Sequence, residues 1–240
     1  MKVKFRALIR KESFFPGFIG IFINPFYFAR HGLADAMRRY SKFLNGKLLD
    51  VGCGTKPYSS IFDVDDYIGL DIDSDISRKR GIADFFYDGS VFPFADNEFD
   101  SILCNQVLEH VFNPDNFLRE IYRVMKPGAK MLLTVPFVWD EHEKPNDYAR
   151  YSSFGLKALL ESNGLRVLKN EKLGADVTLL FQLTNAYLYK ISERWNKYVR
   201  LVFTILVMGS LNLLGVVVRY FLPSNPDLFL DHVMIVEKSK

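Results

Sequence analysis

An α/β fold, with a parallel sheet covered by helices on both faces, follows from three features of this 240-residue chain. Apolar runs of strand length alternate with runs of helical periodicity, and that alternation produces parallel sheets. The run Leu48-Leu49-Asp50-Val51-Gly52-Cys53-Gly54-Thr55 reads as a buried strand ending in an acid and two closely spaced glycines. Only backbone stripped of side chains lets a ligand come that close. A second apolar run, Tyr67-Ile68-Gly69-Leu70, closes on Asp71, about 20 residues after the first glycine, where a ribose-binding acid belongs.

The elements follow in order. Residues 30–44 predict an amphipathic helix, because Leu33, Met37, Tyr40, Phe43 and Leu44 recur at helical spacing while Arg38, Arg39 and Lys42 take other faces. Strands are expected at 47–52, 67–71, 83–88 and 100–105. A helix over 114–126 has Asn113 as N-cap, Pro114 at its first position and a Pro127-Gly128 stop. A strand over 129–135 precedes a helix over 153–163, which starts at the Ser152-Ser153 cap, buries Leu156, Leu159 and Leu160, and ends at Gly164. Leu165 to Leu168 begins a sixth strand, and His232 to Lys238 forms the last.

Between those two strands lies an anomaly. Leu201 to Val218 is an uncharged run close to the length of a membrane span at about 1.5 Å per residue. The preceding apolar segment, 177–189, is shorter and carries Gln182 and Asn185. The expected organisation is therefore an aromatic, basic N-terminal segment with its helix over 1–44, a ligand-binding domain over 45–174 and 231–240, and an apolar helical insertion over 175–230. The two apolar segments read as a hairpin dipping into one leaflet, with Lys190, Arg194, Lys197 and Arg200 facing anionic headgroups. Packing on the domain itself or on a second subunit is the alternative.

Composition excludes some classes. A net charge of +3 is too mild, and too unconcentrated, to indicate nucleic acid. Cys53 and Cys104 lack any C-x-x-C spacing, so neither zinc nor a disulfide scaffold is expected, and no metal site is assigned. The stretch over 14–28 behind Lys2, Lys4, Arg6, Arg10 and Lys11 looks superficially like a signal peptide. Pro16, Gly17, Gly20, Asn24 and Pro25 interrupt it, so the expected location is cytoplasmic, at the inner face of a membrane.

LLDVGCGT, YIGLD, FDSILCNQVLEHV and RVMKPGAKMLLTVPF, in that order, resemble the successive motifs of class I S-adenosylmethionine (SAM) dependent methyltransferases. A dinucleotide fingerprint would need a third glycine where Pro57 stands. Leu108-Glu109-His110 matches the L-E-H signature of type 11 methyltransferase domains, a group that includes quinone-biosynthesis enzymes. The resemblance covers residues 45–172 and the last strand. It implies a Rossmann-like seven-stranded sheet, six strands parallel and the last antiparallel between the fifth and sixth, and SAM as cofactor. It further implies that Gly52 and Gly54 approach the methionine portion and that Asp50 orients its ammonium group. Asp71 would take the ribose hydroxyls, with Ile72 packing on the adenine. Asp88 would accept from the adenine amino group, with Gly89 offering a backbone amide, and Asn105 and Gln106 would line the sulfonium. Asp88 also fits a simple Asp-Gly turn.

The acceptor side belongs to the polar segment from Trp139 to Tyr151, at the carboxyl end of a strand where open α/β sheets bind ligands. Within it, H-E-x-P-x-D-Y-x-R-Y, followed by G-L-x-x-L-L, resembles methyltransferases encoded with cell-surface glycan genes. His142 is the first candidate general base and His110 the second, since a neutral imidazole titrates near working pH. Tyr148 and Arg150 are candidate acceptor contacts, while Asp147, Arg150 and Tyr151 equally fit a salt-bridged lid. The expected function is methyl transfer to a hydroxyl of a sugar or lipid-linked glycan. The alternatives are a quinone-like or other lipophilic acceptor, and a non-catalytic SAM-binding scaffold in a membrane complex. The oligomeric state stays open.

Overall fold

A computed structural model describes residues 2–239, with side chains described from residue 7. The chain divides into two units: a sheet unit, Met37–Phe137, Glu141–Glu171 and His232–Lys240, and a helical unit, Met1–Ala36, Val138–Asp140 and Lys172–Asp231.

Among the described residues, seven strands form one sheet: β1 (Lys47–Val51), β2 (Asp66–Ile72), β3 (Phe85–Tyr87), β4 (Phe99–Asn105), β5 (Met125–Pro136), β6 (Leu165–Leu173) and β7 (Asp231–Lys238). Their order is β3-β2-β1-β4-β5-β7-β6, with β7 the antiparallel member, as the resemblance implied. In the centre Leu49 lies opposite both Ile68 and Ile102, and Val51 opposite both Leu70 and Cys104. Leu49, Val51, Leu70, Ile102 and Cys104 are buried, as expected of strands covered on both faces.

Three helices of this unit carry end signals, the second and third as the sequence predicts and the first in addition. In α4 (Asp75–Arg80) the Ser74 hydroxyl accepts from Ser77 N at 3.1 Å, and Gly81 closes the helix in the left-handed region. In α5 (Pro114–Val124) Asn113 Oδ1 accepts from Asn116 N at 3.2 Å, and in α6 (Ser153–Ser162) Ser152 Oγ accepts from Gly155 N at 3.2 Å. Leu118, Ile121 and Val124 of α5 and Leu156 and Leu160 of α6 join the sheet in one core.

The structure differs from the sequence expectation where α5 meets β5. The helix ends at Val124 and the strand begins at Met125, although Pro127-Gly128 reads as the stop. Phe99 pairs with Met125 while Ser101 pairs with Lys130, so the chain bulges between them, with Gly128 at φ 79°. The residue before proline avoids helical geometry, which ends the helix early.

The helical unit contains α1 (Lys2–Phe14), α2 (Phe18–Ile23), the start of α3 (Tyr27–Tyr40) and α7 (Thr178–Ser192). It also holds one continuous helical stretch from Lys197 to Val218, made of α8 (Lys197–Phe203), a π-helical turn (Thr204–Met208) and α9 (Gly209–Val218). Its interior joins an apolar cluster of Ile21, Tyr27, Phe28, Ala29, Leu179 and Leu230 to a set of buried amides, while apolar side chains also face outward. Asn212 is fully buried and donates to Ile21 O at 2.9 Å and Asn24 O at 3.0 Å, while accepting from buried Asn185 at 2.8 Å. Gln182, also buried, accepts from Ala29 N and donates to Pro25 O, each at 3.1 Å. At Gly209 an added Cβ would lie 2.9 Å from the Phe22 backbone, so the helices approach to a distance that excludes side chains. Leu206, Leu213, Leu214 and Val217 are exposed.

Candidate active site

The glycine turn is pinned before any ligand arrives. Gly52 N and Cys53 N both donate to Leu70 O, at 2.8 and 3.0 Å, so the end of β1 folds against β2. Gly52 sits at φ 70°, and a Cβ there would come within 2.4 Å of Val107 Cγ2. Both facts demand glycine at this position. Asp71, at the end of β2, is nearly buried, and burial raises its pKa above the usual carboxylate value. Its Oδ1 accepts from Ile72 N at 2.9 Å. Gly89 lies across from Ile72, whose Cδ1 would be 3.3 Å from a Cβ at that glycine.

A cavity of about 900 Å³ opens here, a volume at the upper end of small-molecule pockets. Of the residues singled out from sequence, Gly52, Gly54, Asp71, Ile72, Gly89, Gln106, His110 and Tyr148 line it together. Asp50, Asp88, Asn105, His142 and Arg150 stand outside the lining. Asp50 is buried, accepts from Tyr67 Oη at 2.7 Å, and is pushed by burial up to about 7. Asp88 forms a turn instead: its Oδ1 accepts from the Ser90 hydroxyl at 2.5 Å and from Ser90 N at 2.9 Å, which holds its pKa below the ordinary value. Asn105 Oδ1 accepts from Thr134 Oγ1 at 2.8 Å, and Gln106, at φ 57°, donates its backbone N–H to Thr134 O.

Sequence reasoning missed a wall of this cavity. Val107, Val111, Phe112, Asn113 and Asn116 line it, where the chain runs from β4 into α5. From sequence Asn113 reads as a helix cap, and no residue pattern marks that the same turn meets the cavity.

The acceptor end rests on the 3₁₀ turn Leu108–His110. Glu109 is fully buried, and its carbonyl accepts from Tyr148 N at 2.8 Å and Ala149 N at 3.3 Å. Those two bonds tie the 141–150 loop to the turn. His110 Nδ1 lies 2.6 Å from Asn146 O. A carbonyl only accepts, so Nδ1 carries a proton. The Nε2 of the same ring is 3.8 Å from Glu109 Oε1. The His142 ring stands 4.7 Å from that of His110, edge to face.

His142 is braced in turn by Asp147. The Asp147 Oδ2 accepts from His142 N at 3.0 Å and faces His142 Nδ1 at 3.3 Å. Arg150 donates to both Asp147 oxygens, at 2.6 and 2.8 Å, and holds that carboxyl down at about 2. The Arg150 guanidinium is thus engaged in the loop brace, the second of its two sequence readings. Tyr148 keeps a face on the cavity, and its ring packs edge to face with exposed Phe112 at 5.3 Å.

Known proteins share the fold and part of the sequence. Residues 49–133 match the family described as "Methyltransferase domain". The chain is 36% identical over 104 residues to the uncharacterized protein MJ1123 of Methanocaldococcus jannaschii, covering 42% of this chain and 49% of that protein. It is 35% identical over 97 residues to the demethylmenaquinone methyltransferase of Renibacterium salmoninarum, covering 36% and 40%. The chain thus spans about half the length, or less, of these curated relatives. Among solved structures, phosphoethanolamine N-methyltransferase 2 of Haemonchus contortus, in complex with SAM, superposes with a TM-score of 0.56 at 17% identity, over 98% of this chain and 57% of that one. That likeness is one of fold. With the strand order, the glycine turn and the acid ending β2 in place, residues 49–133 carry a methyltransferase domain on a sheet with the Rossmann-like fold of class I SAM-dependent methyltransferases.

Proposed function

We propose that this protein transfers a methyl group from SAM to a hydroxyl of a sugar or lipid-linked glycan. The observation that carries this reading is the paired imidazoles of His110 and His142 at the acceptor end of the SAM cavity, each turned by an acceptor on its Nδ1 side. Methyl transfer is an in-line displacement: the acceptor oxygen bonds to the methyl carbon, the C–S pair goes to sulfur, and the positive sulfonium becomes a neutral thioether. Positioning supplies much of the rate. A hydroxyl must also lose its proton, and that task falls to the His110–His142 centre. Support for a sugar comes from the mixed lining at the mouth, where Phe112 and Tyr148 offer ring faces among Asn113, Asn116, Arg119 and Glu143. The test is release of S-adenosylhomocysteine from SAM with glycan, lipid-linked glycan and lipophilic phenol extracts. Turnover confined to the phenols would replace the sugar by a quinone-like acceptor, the chemistry named for the R. salmoninarum relative. SAM binding with no product from any extract would leave a scaffold.

The helical unit supports placement at the cytoplasmic face of a membrane. Its Lys197–Val218 stretch turns Asn212 and two glycines inward and its leucines outward, and only 28% of its most apolar window is buried. Small residues and an asparagine pair inside, with hydrocarbon outside, is how helices pack in lipid. The intact chain is expected to float with phosphatidylglycerol vesicles, and Leu206→Glu with Leu213→Glu to abolish flotation. An intact chain that stays at the bottom removes the membrane reading.

A further inference from the structure

Three side chains beside the cavity have the composition of a metal centre. One ligand atom each from Glu109, His110 and His142 lies within 4.8 Å of the others. Glu109 is fully buried and the two histidine side chains are 17% and 26% exposed, so the group sits below the surface. Imidazole with carboxylate suits a divalent transition metal.

The surroundings prepare both rings as ligands. The Asn146 carbonyl accepts from His110 Nδ1 at 2.6 Å, which turns Nε2 toward Glu109 at 3.8 Å. Asp147, paired with Arg150 at 2.6 Å, takes the corresponding place 3.3 Å from His142 Nδ1. An acceptor behind the second ring nitrogen is what fixes the tautomer and orientation of metal-bound histidine. Bonds of about 2.0–2.2 Å set tetrahedral ligand separations near 3.4 Å, so the group would close by about 1.4 Å at its widest pair on taking up an ion. Three protein ligands with one open position is the arrangement of catalytic rather than structural sites.

We propose that Glu109, His110 and His142 bind one divalent transition-metal ion, whose open position takes the acceptor hydroxyl. This rests on the hydroxyl-methylation reading and states how the centre activates that hydroxyl. Coordination lowers the pKa of the O–H. Its proton passes to water, the resulting alkoxide attacks the SAM methyl, and the sulfur leaves with the C–S electron pair. His110 and His142 act as ligands, Asp147 as a positioning residue.

The full chain, stripped with EDTA, is titrated with Co²⁺ and followed by visible absorption and calorimetry. One equivalent is expected to bind at micromolar affinity or tighter. His110→Ala and His142→Ala should each weaken binding about 100-fold, and Asp147→Asn about 10- to 100-fold, with the SAM affinity of the folded variants retained. Glu109→Gln removes a buried carboxylate and is read only if its thermal unfolding matches the parent. The histidine variants carry the test regardless. Absence of saturable Co²⁺ binding up to millimolar concentration, or binding unchanged in both histidine variants, overturns the metal site. The two readings fail separately. Undiminished S-adenosylhomocysteine release after EDTA treatment keeps methyl transfer and rejects the metal. Stoichiometric cobalt binding lost in the histidine variants, with no product from any hydroxyl acceptor, keeps the metal and rejects the transfer.

Discussion

Gly52→Ala separates two costs that the glycine turn combines. The position has φ 70°, and an added methyl would lie 2.4 Å from Val107 Cγ2 and 3.0 Å from Val107 Cγ1. The left-handed backbone costs a non-glycine residue about 1–2 kcal/mol, and forcing Val107 aside costs about 1–3 kcal/mol more. Gly54→Ala is the internal control. Its φ is 53°, yet the nearest atom a Cβ would meet there is Arg80 Nη1 at 3.9 Å, so only the backbone cost applies. The decisive variant is Gly52→Ala with Val107→Ala, which removes both clashing methyls and leaves the Val107 Cβ position at 3.3 Å. In that background Gly52→Ala is expected to cost only the backbone part, a coupling of about 1–3 kcal/mol. The assay is urea unfolding followed by far-UV circular dichroism. Tryptophan fluorescence will not serve, because Trp139 and Trp195, the two tryptophans of the chain, both lie in the helical unit. Additivity of the two substitutions to within about 0.5 kcal/mol would refute the argument that Val107 enforces glycine here.

Two further outcomes follow from buried polar groups. Asp50 is raised from its ordinary value to about 7, so the native state holds the proton more tightly than the unfolded chain between about pH 4 and 7. Its contribution is full below pH 4 and is lost as pH rises to 7, on the order of 4 kcal/mol. Asp50→Asn should flatten that slope of stability against pH without SAM, and an unchanged slope would place the proton elsewhere. Asn212→Leu removes two donors to Ile21 O and Asn24 O and the acceptor of Asn185. It should lower the stability of the helical unit by about 2–5 kcal/mol, read as a fall in the tryptophan-fluorescence urea midpoint. No change would mean that water replaces the side chain.

The sheet was legible because its signals are local. Apolar runs such as Leu48–Val51 and Ile102–Cys104 carry their burial in their composition, and Asn113 and Ser152 mark helix starts through bonds to neighbours three residues away. The glycine turn and Asp71 were legible for the same reason. The early start of β5 was not, since it depends on a register slip against Phe99 that no local pattern records. Of the two readings the sequence leaves open for Asp88, an acceptor for the adenine amino group and a simple turn, the structure shows the bonds of a turn on Ser90, while Asp71 lines the cavity.

The sequence by itself determined the strand-and-helix alternation, the SAM-type turn at Gly52 and Gly54, and the identity of the two candidate histidines. Each of these is written in residue type and spacing over a few turns of chain. Only the tertiary structure decided that His110 and His142 stand 4.7 Å apart beside a buried Glu109, with Arg150 spent on Asp147 and Tyr148 left facing the cavity. The reason is physical: that meeting is made by main-chain bonds from Tyr148 and Ala149 to the carbonyl of Glu109, and backbone groups carry no signature of the partner they will choose.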